Sequence, residues 1–168
     1  MSWVQVTTVP DERGDGRPRI WGGGVKQGTW KTVGAGHAYD PAADRWRSLA
    51  DMPGGATETF AVVRVADTAL MVRADGETCS AWRYEPRSDR WQPCAPPPER
   101  GDGPPRLFDC EGRIVLLLGG HPIEYLVTRD VWARLPSLAN EPHHLLWLDD
   151  ALLAFMSDGA VYRLALPA

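Results

Sequence analysis

The chain has 168 residues, with 18 Lys and Arg against 22 Asp and Glu, and a formal net charge of −4. This length corresponds to one domain, and a hydrophobic content of 43% is enough to form a buried core. The mildly acidic balance argues against a protein that holds nucleic-acid phosphates with Lys and Arg. No apolar run approaches the roughly 20 residues of a membrane span. We therefore expect neither nucleic acid nor a membrane among its partners.

The cysteines and the first residues bear on location and on metals. Cys79, Cys94 and Cys110 form no CxxC pair, so neither a disulfide framework nor a zinc site is predicted. Residues 1–6 lack the basic and apolar regions of a signal peptide. We expect a cytoplasmic protein without a metal or another cofactor.

A repeated spacing from Tyr to Trp divides the chain into units and predicts where the strands of each unit lie. The abundance of turn formers, 17 Gly and 15 Pro, favours short strands over long helices. Tyr39 and Tyr84 each precede a Trp by seven residues, and Tyr125 begins a looser third copy. The tryptophans that recur at intervals of 41 to 45 residues are Trp3, Trp46, Trp91 and Trp132. A period near 42 residues is typical of four-stranded propeller blades, one blade per repeat.

The fold class predicted is an all-β, four-bladed β-propeller. In each blade the second strand is an apolar run, the third carries the Tyr and the fourth begins at the Trp. The apolar runs are 69–72, 113–118 and 152–155. The N-terminal strand at Trp3 is predicted to join the C-terminal blade, which contains Tyr162, and so to close the ring. The blade boundaries are about 11–52, 53–97, 98–138, and 139–168 together with 1–10.

A second periodicity predicts an internal two-fold repeat of the form A-B-A-B. Residues 12–21 resemble residues 99–108, and residues 57–76 align with residues 140–159. Unit one therefore resembles unit three, and unit two resembles unit four. An alternative architecture is a half-ring that pairs with a second chain to give eight blades, so we expect a monomer or a homodimer.

The segment from Tyr39 through Asp40 and Pro41 to Trp46 follows a glycine-rich strand end, and it resembles the kelch repeat. That repeat is found also in the central domain of galactose oxidase. Its Gly-Gly doublet is intact at 119–120. The resemblance implies a β-propeller, and kelch proteins include many binding scaffolds and a few enzymes. The copper chemistry of galactose oxidase is not implied, because no matching Tyr/Cys/His set is evident.

Charged residues are predicted to alternate around the central channel, which the first strand of each blade lines. Arg19 and Arg106 lie early in the first strands of units one and three. Glu58 and Glu141 lie at or just before the first strands of units two and four. The order around the ring is then Arg, Glu, Arg, Glu. One interpretation is a salt-bridge network that closes the channel, since buried charge is tolerated when it is paired.

Histidines are predicted on the same rim. His37 and His121 lie at the connection between the second and third strands of units one and three. His143 enters the first strand of unit four, beside Glu141. A metal role for these histidines is not predicted, because no local ligand spacing supports it.

Two main hypotheses for function follow. The first is a non-enzymatic binding module for a small anionic molecule or a protein partner, with Arg19, Arg106, Glu58 and Glu141 as ligand-binding residues. The second is a cofactor-independent isomerase, cyclase or lyase, in which the arginines stabilise an anion. Its catalytic acid–base residues would be Glu58, Glu141, His37, His121 and His143. A third interpretation, a protein-interaction adaptor, predicts an exposed apolar or aromatic patch on the rim, for which the candidate residues are Trp21, Phe60, Trp82 and Trp147.

Overall fold

The structure is a computed structural model, in which the described residues form fifteen strands and no helix. The described residues are 3–8, 18–25, 32–40, 43–54, 60–65, 68–75, 78–98, 104–110, 112–138, 140, 142–148 and 151–164. Among them, no helix is long and apolar enough to cross a membrane.

The strands form four antiparallel sheets, numbered 1 to 4 in chain order. Sheet 1 contains β1 (Trp3–Thr8), β2 (Pro18–Val25), β3 (Thr32–Asp40) and β4 (Arg45–Leu49). Sheet 2 contains β5 (Phe60–Val65), β6 (Thr68–Asp75), β7 (Thr78–Glu85) and β8 (Arg90–Cys94). Sheet 3 contains β9 (Arg106–Cys110), β10 (Arg113–Leu118), β11 (His121–Leu126) and β12 (Val131–Arg134). Sheet 4 contains β13 (His144–Leu148), β14 (Ala151–Phe155) and β15 (Val161–Leu164).

Tight turns keep consecutive strands paired. Gly119 and Gly120 connect β10 to β11 with φ values of 56° and 81°, and Leu118 pairs with His121 across them. A two-residue hairpin turn of this kind needs positive φ at both positions, which glycine adopts without steric cost.

The three predicted apolar runs are confirmed as the second strands of sheets 2, 3 and 4. They lie in β6, β10 and β14, and Leu70, Leu116 and Leu152 are each fully buried. These strands carry apolar residues without alternation because both faces of each sheet are covered.

The sheets pack face to face in chain order through apolar clusters. Met71 and Tyr84 of sheet 2 pack with Leu49 of sheet 1. A second cluster joins sheets 2 and 3, and a third joins sheets 3 and 4. The first strands of successive sheets also contact one another, β1 with β5, β5 with β9 and β9 with β13. This all-β arrangement of four sheets is consistent with a β-propeller-like fold.

A Tyr–Asp–Trp triad, which we call the tyrosine clasp, ties each of sheets 2 and 3 to the sheet before it. The Asp follows the Tyr by five residues and the Trp follows it by seven. In sheet 2, Tyr84 donates its hydroxyl hydrogen to Asp89 Oδ1 at 2.6 Å. The same oxygen accepts the backbone N–H of Ala50 at 2.9 Å, and Trp91 Nε1 donates to the Ala50 carbonyl at 3.4 Å. Ala50 lies directly after β4, so the clasp holds the end of sheet 1.

Sheet 3 repeats this arrangement one interface further along. Tyr125 donates to Asp130 Oδ1 at 2.6 Å, which also accepts the N–H of Ala95 at 3.1 Å. Trp132 Nε1 donates to the Ala95 carbonyl at 2.8 Å. Burial, followed by the hydrogen bond to Asp130, raises the pKa of Tyr125. The hydroxyl therefore remains protonated and available to donate.

The prediction for the N-terminal strand is wrong. β1 pairs with β2 along its whole length, from Trp3 opposite Gly23 to Thr8 opposite Pro18, so it is the first strand of sheet 1 and not the outer strand of sheet 4. Pairing with β2 closes a short loop, whereas pairing with the C-terminal sheet would close most of the chain, at a greater entropic cost. The sequence also carries a distinguishing signal. The outer strands have an Asp two residues before the Trp, whereas Met1 stands two residues before Trp3.

The register of sheet 4 corrects a second assignment. Tyr84 and Tyr125 lie opposite the second residue of β6 and β10 respectively. In sheet 4 that position, opposite Leu152, is held by Leu164 and not by Tyr162. Leu164 is 6% exposed, whereas Tyr162 is 47% exposed. The fourth sheet therefore has no clasp tyrosine among its described residues.

The aromatic patch of the adaptor interpretation does not form as predicted. Phe60 is buried, and Trp82 is half-buried against the same cluster between sheets 1 and 2. Trp147 packs between sheets 3 and 4. These rings are core residues because their strands lie between sheets. Trp21 lies in β2, and its side chain is not among those that the structure describes.

Burial of Cys110 between sheets 3 and 4 leads to a prediction about thiol reactivity. Burial raises the pKa of the Cys110 thiol to about 11, so little thiolate is present at pH 8. We expect iodoacetamide at pH 8 to modify the partly exposed Cys79 and Cys94 before Cys110, as measured by peptide mass spectrometry. In 8 M urea the three rates should become similar. Equal rates in the folded protein would contradict the burial of Cys110.

Candidate functional site

A cavity of about 290 Å³ lies where the first strands of sheets 2 and 3 approach the start of sheet 4. Most of its lining is apolar, and Arg106 and His143 contribute its cationic and titratable side chains. The remaining lining residues are Ala61, Val62, Pro105, Leu107 and Phe108. The volume is at the lower end for small-molecule sites, so a ligand here would be small.

Arg106 is held at this cavity by neutral groups. Its Nη2 donates to the backbone carbonyl of Pro142, and its guanidinium lies 5.6 Å from the centre of the Phe108 ring. Its Nε is buried and has no hydrogen-bond partner among the described residues. A buried guanidinium N–H that has no acceptor is costly. An anion that accepted a hydrogen bond from Nε would therefore remove an unfavourable feature.

A second cavity, of about 530 Å³, differs because an Arg and a Glu in its lining pair with each other. It is lined in part by Arg113 and Glu124. Arg113 Nε lies 2.7 Å from Glu124 Oε1, and Nη2 lies 2.8 Å from Oε2. The guanidinium also stacks over Trp147 at 5.2 Å. The hydrogen bond to Glu124 raises the pKa of Arg113. The charge of each side chain is therefore balanced by the other.

Sequence reasoning missed this pair. The expected Arg–Glu bridges were placed on the first strands, whereas Arg113 and Glu124 lie on β10 and β11. A signal was present, because Glu124 interrupts an apolar run in β11. A carboxylate in such a position requires a cation close by.

The predicted site residues are only partly brought together. Arg106 begins β9 and lines the smaller cavity with His143, which directly precedes β13. His121 is exposed at the start of β11 and does not line either cavity described above. Glu58 and Glu141 lie outside the described residues, so the ring of alternating charges stays a prediction.

Two placements in sheet 1 differ from prediction. Arg19 lies in β2, opposite Thr7 and Ala38, so it is on the second strand and not the first. His37 lies inside β3, opposite Ser48 of β4, and not at the connection before it. Both differences follow from the position of β1, which occupies the first place in the sheet. The similar segments at 12–21 and 99–108 consequently lead into non-equivalent strands, β2 and β9.

A metal site finds no support in the described part of the chain. No group of three or more His, Cys, Asp or Glu side chains within it is arranged to hold a metal ion.

Comparison with known proteins shows similarity of fold alone. No protein-family model and no curated protein matches the chain. A solved structure described as the structure of YjhT is similar over 89% of this chain, with a TM-score of 0.64 and 13% sequence identity. The match covers 57% of the YjhT chain, so the present chain spans little more than half the length of that protein.

Proposed function

We propose that this chain is a non-enzymatic ligand-binding module built from kelch-like propeller blades, and that the cavity at Arg106 binds a small organic anion. The observation that carries the proposal is the buried Nε of Arg106, which has no hydrogen-bond partner in the described part of the chain and lies at a largely apolar cavity. A guanidinium binds a carboxylate strongly because its donors match the carboxylate oxygens in geometry and charge.

The lining also indicates what kind of anion fits. Val62, Leu107 and Phe108 offer apolar contact, whereas Arg106 supplies the positive charge. His143 at the cavity edge adds a ring nitrogen that can donate a hydrogen bond. A carboxylate with a compact apolar body satisfies these groups better than a highly charged ion such as citrate.

Calorimetric titration tests the proposal. Benzoate is the probe, and benzamide, which has the same shape without the charge, is the matched control. We expect benzoate to bind and benzamide to bind at least tenfold more weakly. Arg106→Gln should weaken benzoate binding at least tenfold, because a charge-assisted hydrogen bond is worth about 1.5–3 kcal/mol.

The control variant is Arg163→Gln, because Arg163 is exposed on β15. We expect it to bind benzoate as the wild type does. Equal binding of benzoate by the wild type and by Arg106→Gln, or no binding of benzoate to the wild type, would overturn the assignment of this site.

A further inference from the structure

The tyrosine clasp recognises a single residue through its backbone. In sheets 2 and 3 the Asp carboxylate accepts the N–H of one alanine, and the Trp indole donates to the carbonyl of that same alanine. The two alanines are Ala50 and Ala95. Because both contacts are made with main-chain atoms, the clasp can hold any extended segment whose bound residue is small and has an N–H.

Sheet 1 carries the same clasp, assembled in the same geometry. Tyr39 donates to Asp44 Oδ1 at 2.6 Å, and the rings of Tyr39 and Trp46 lie 5.0 Å apart. The corresponding ring distances in sheets 2 and 3 are 5.2 and 4.8 Å. Asp44 also has positive φ, 47°, as Asp89 and Asp130 do. The conformation that places the carboxylate is therefore already adopted.

The clasp of sheet 1 holds no segment in the described part of the chain. Trp46 is 54% exposed, whereas Trp91 and Trp132 are half-buried against the sheet that they hold. Within the described residues, Asp44 accepts from Tyr39 but not from a backbone N–H of another sheet. An aromatic side chain as large as Trp46 is costly to leave in water. The first sheet thus presents a preformed main-chain receptor.

We propose that Tyr39, Asp44 and Trp46 form a docking site for an extended peptide segment of a partner protein. The internal ligands define its chemistry. Leu49 precedes Ala50 and Cys94 precedes Ala95, so the bound segment has an apolar residue followed by a small residue with a free N–H. Asp44 accepts that N–H, and Trp46 donates to the carbonyl.

A second copy of this chain is a poorer occupant because, among the described residues, the corresponding segments of sheets 1 to 3 are already used or unsuitable. Ala50 and Ala95 are held internally. The equivalent position after β12, four residues beyond Trp132, is Pro136. Proline has no N–H, so the end of sheet 3 cannot satisfy an Asp44 carboxylate in another copy.

The face around the sheet 1 clasp also favours a peptide over a complete extra sheet. Two residues before the clasp tyrosine, sheets 2 and 3 have Trp82 and Ile123, which pack against the preceding sheet. Sheet 1 has His37 at this position, and it is exposed. Because residues two apart on a strand share a face, His37 lies on the side of Tyr39. A polar residue there suits a partly hydrated contact.

Fluorescence anisotropy with the full chain tests this inference. The probe is a labelled synthetic peptide with the sequence of residues 47–53, which contains the segment held in the first internal clasp. The control peptide carries Ala50→Pro, which removes the N–H. We expect the unmodified peptide to bind and the Ala50→Pro peptide to bind at least tenfold more weakly.

Protein variants make the test specific to the clasp. Trp46→Phe keeps an aromatic ring and removes the indole donor, so it should weaken peptide binding about three- to tenfold. Asp44→Ala removes a charged acceptor and should weaken binding at least tenfold. Leu148→Ala, on the exposed face of sheet 4, should leave it unchanged. Failure of the peptide to bind, or equal binding by Trp46→Phe or of the Ala50→Pro peptide, would overturn the proposal. Sedimentation that showed a wild-type dimer separated by Trp46→Phe would assign the clasp to a second copy, and would also overturn it.

Discussion

Asp89→Ala is expected to lower the free energy of unfolding by about 2–4 kcal/mol more than Asp44→Ala does. Asp89 Oδ1 accepts hydrogen bonds from the Tyr84 hydroxyl and from the Ala50 N–H. Alanine removes the acceptor of both hydrogen bonds, and the Tyr84 side chain is fully buried. Loss of a hydrogen bond to a charged group costs about 1.5–3 kcal/mol.

Asp44→Ala is a matched control because it makes the same chemical change in the same backbone conformation. Asp44 and Asp89 have φ values of 47° and 51°, so the cost of placing alanine in the left-handed region is common to both variants. Of these two residues, only Asp89 connects two sheets within the described part of the chain. Urea unfolding followed by far-ultraviolet circular dichroism measures the two losses, and equal losses would show that the contact between the sheets contributes no stability.

Leu116→Ala is expected to lower the free energy of unfolding by about 2–5 kcal/mol. Leu116 is fully buried in β10 and packs with Val72, Ala81 and Ile123 between sheets 2 and 3. Truncation removes apolar contact from both sheets and leaves a cavity that the rigid strands fill only partly.

Leu148→Ala provides the control for this second stability prediction. Leu148 is 50% exposed at the end of β13, so the same truncation should cost less than about 1 kcal/mol. Urea unfolding of both variants, under identical conditions, measures the difference. Similar losses in the two variants would contradict face-to-face packing of sheets 2 and 3.

Some elements could be predicted because their signals are local. The apolar run at 113–118 forms a strand covered on both faces, and short hairpin turns bring its neighbours alongside. The seven residues from Tyr to Trp run from the third strand of a sheet, through the turn that follows it, into the fourth strand. Such patterns depend on residues a few positions apart, so the sequence contains them in full.

The candidate site could be predicted only in part, because it also depends on contacts between residues that are far apart in the sequence. The sequence predicts Arg106 and His143 near the starts of first strands, and both line one cavity. The tyrosine clasp is less evident in the sequence than the Tyr-to-Trp repeat. Its contact with the preceding sheet is made by Asp89 or Asp130, which lie between the Tyr and the Trp. Their role becomes visible only when Ala50 and Ala95, 39 and 35 residues away, are brought within hydrogen-bond distance.

The chain's own local patterns thus determine that it forms short antiparallel strands, and which segments are buried on both faces. Tertiary structure decides which strands share a sheet and which face a residue occupies. β1 pairs with β2, His37 lies inside β3 opposite Ser48, and Leu164 takes the place expected for Tyr162. The physical reason is that every residue type except proline offers the same backbone N–H and C=O groups, so partner and register are set by long-range packing and loop closure.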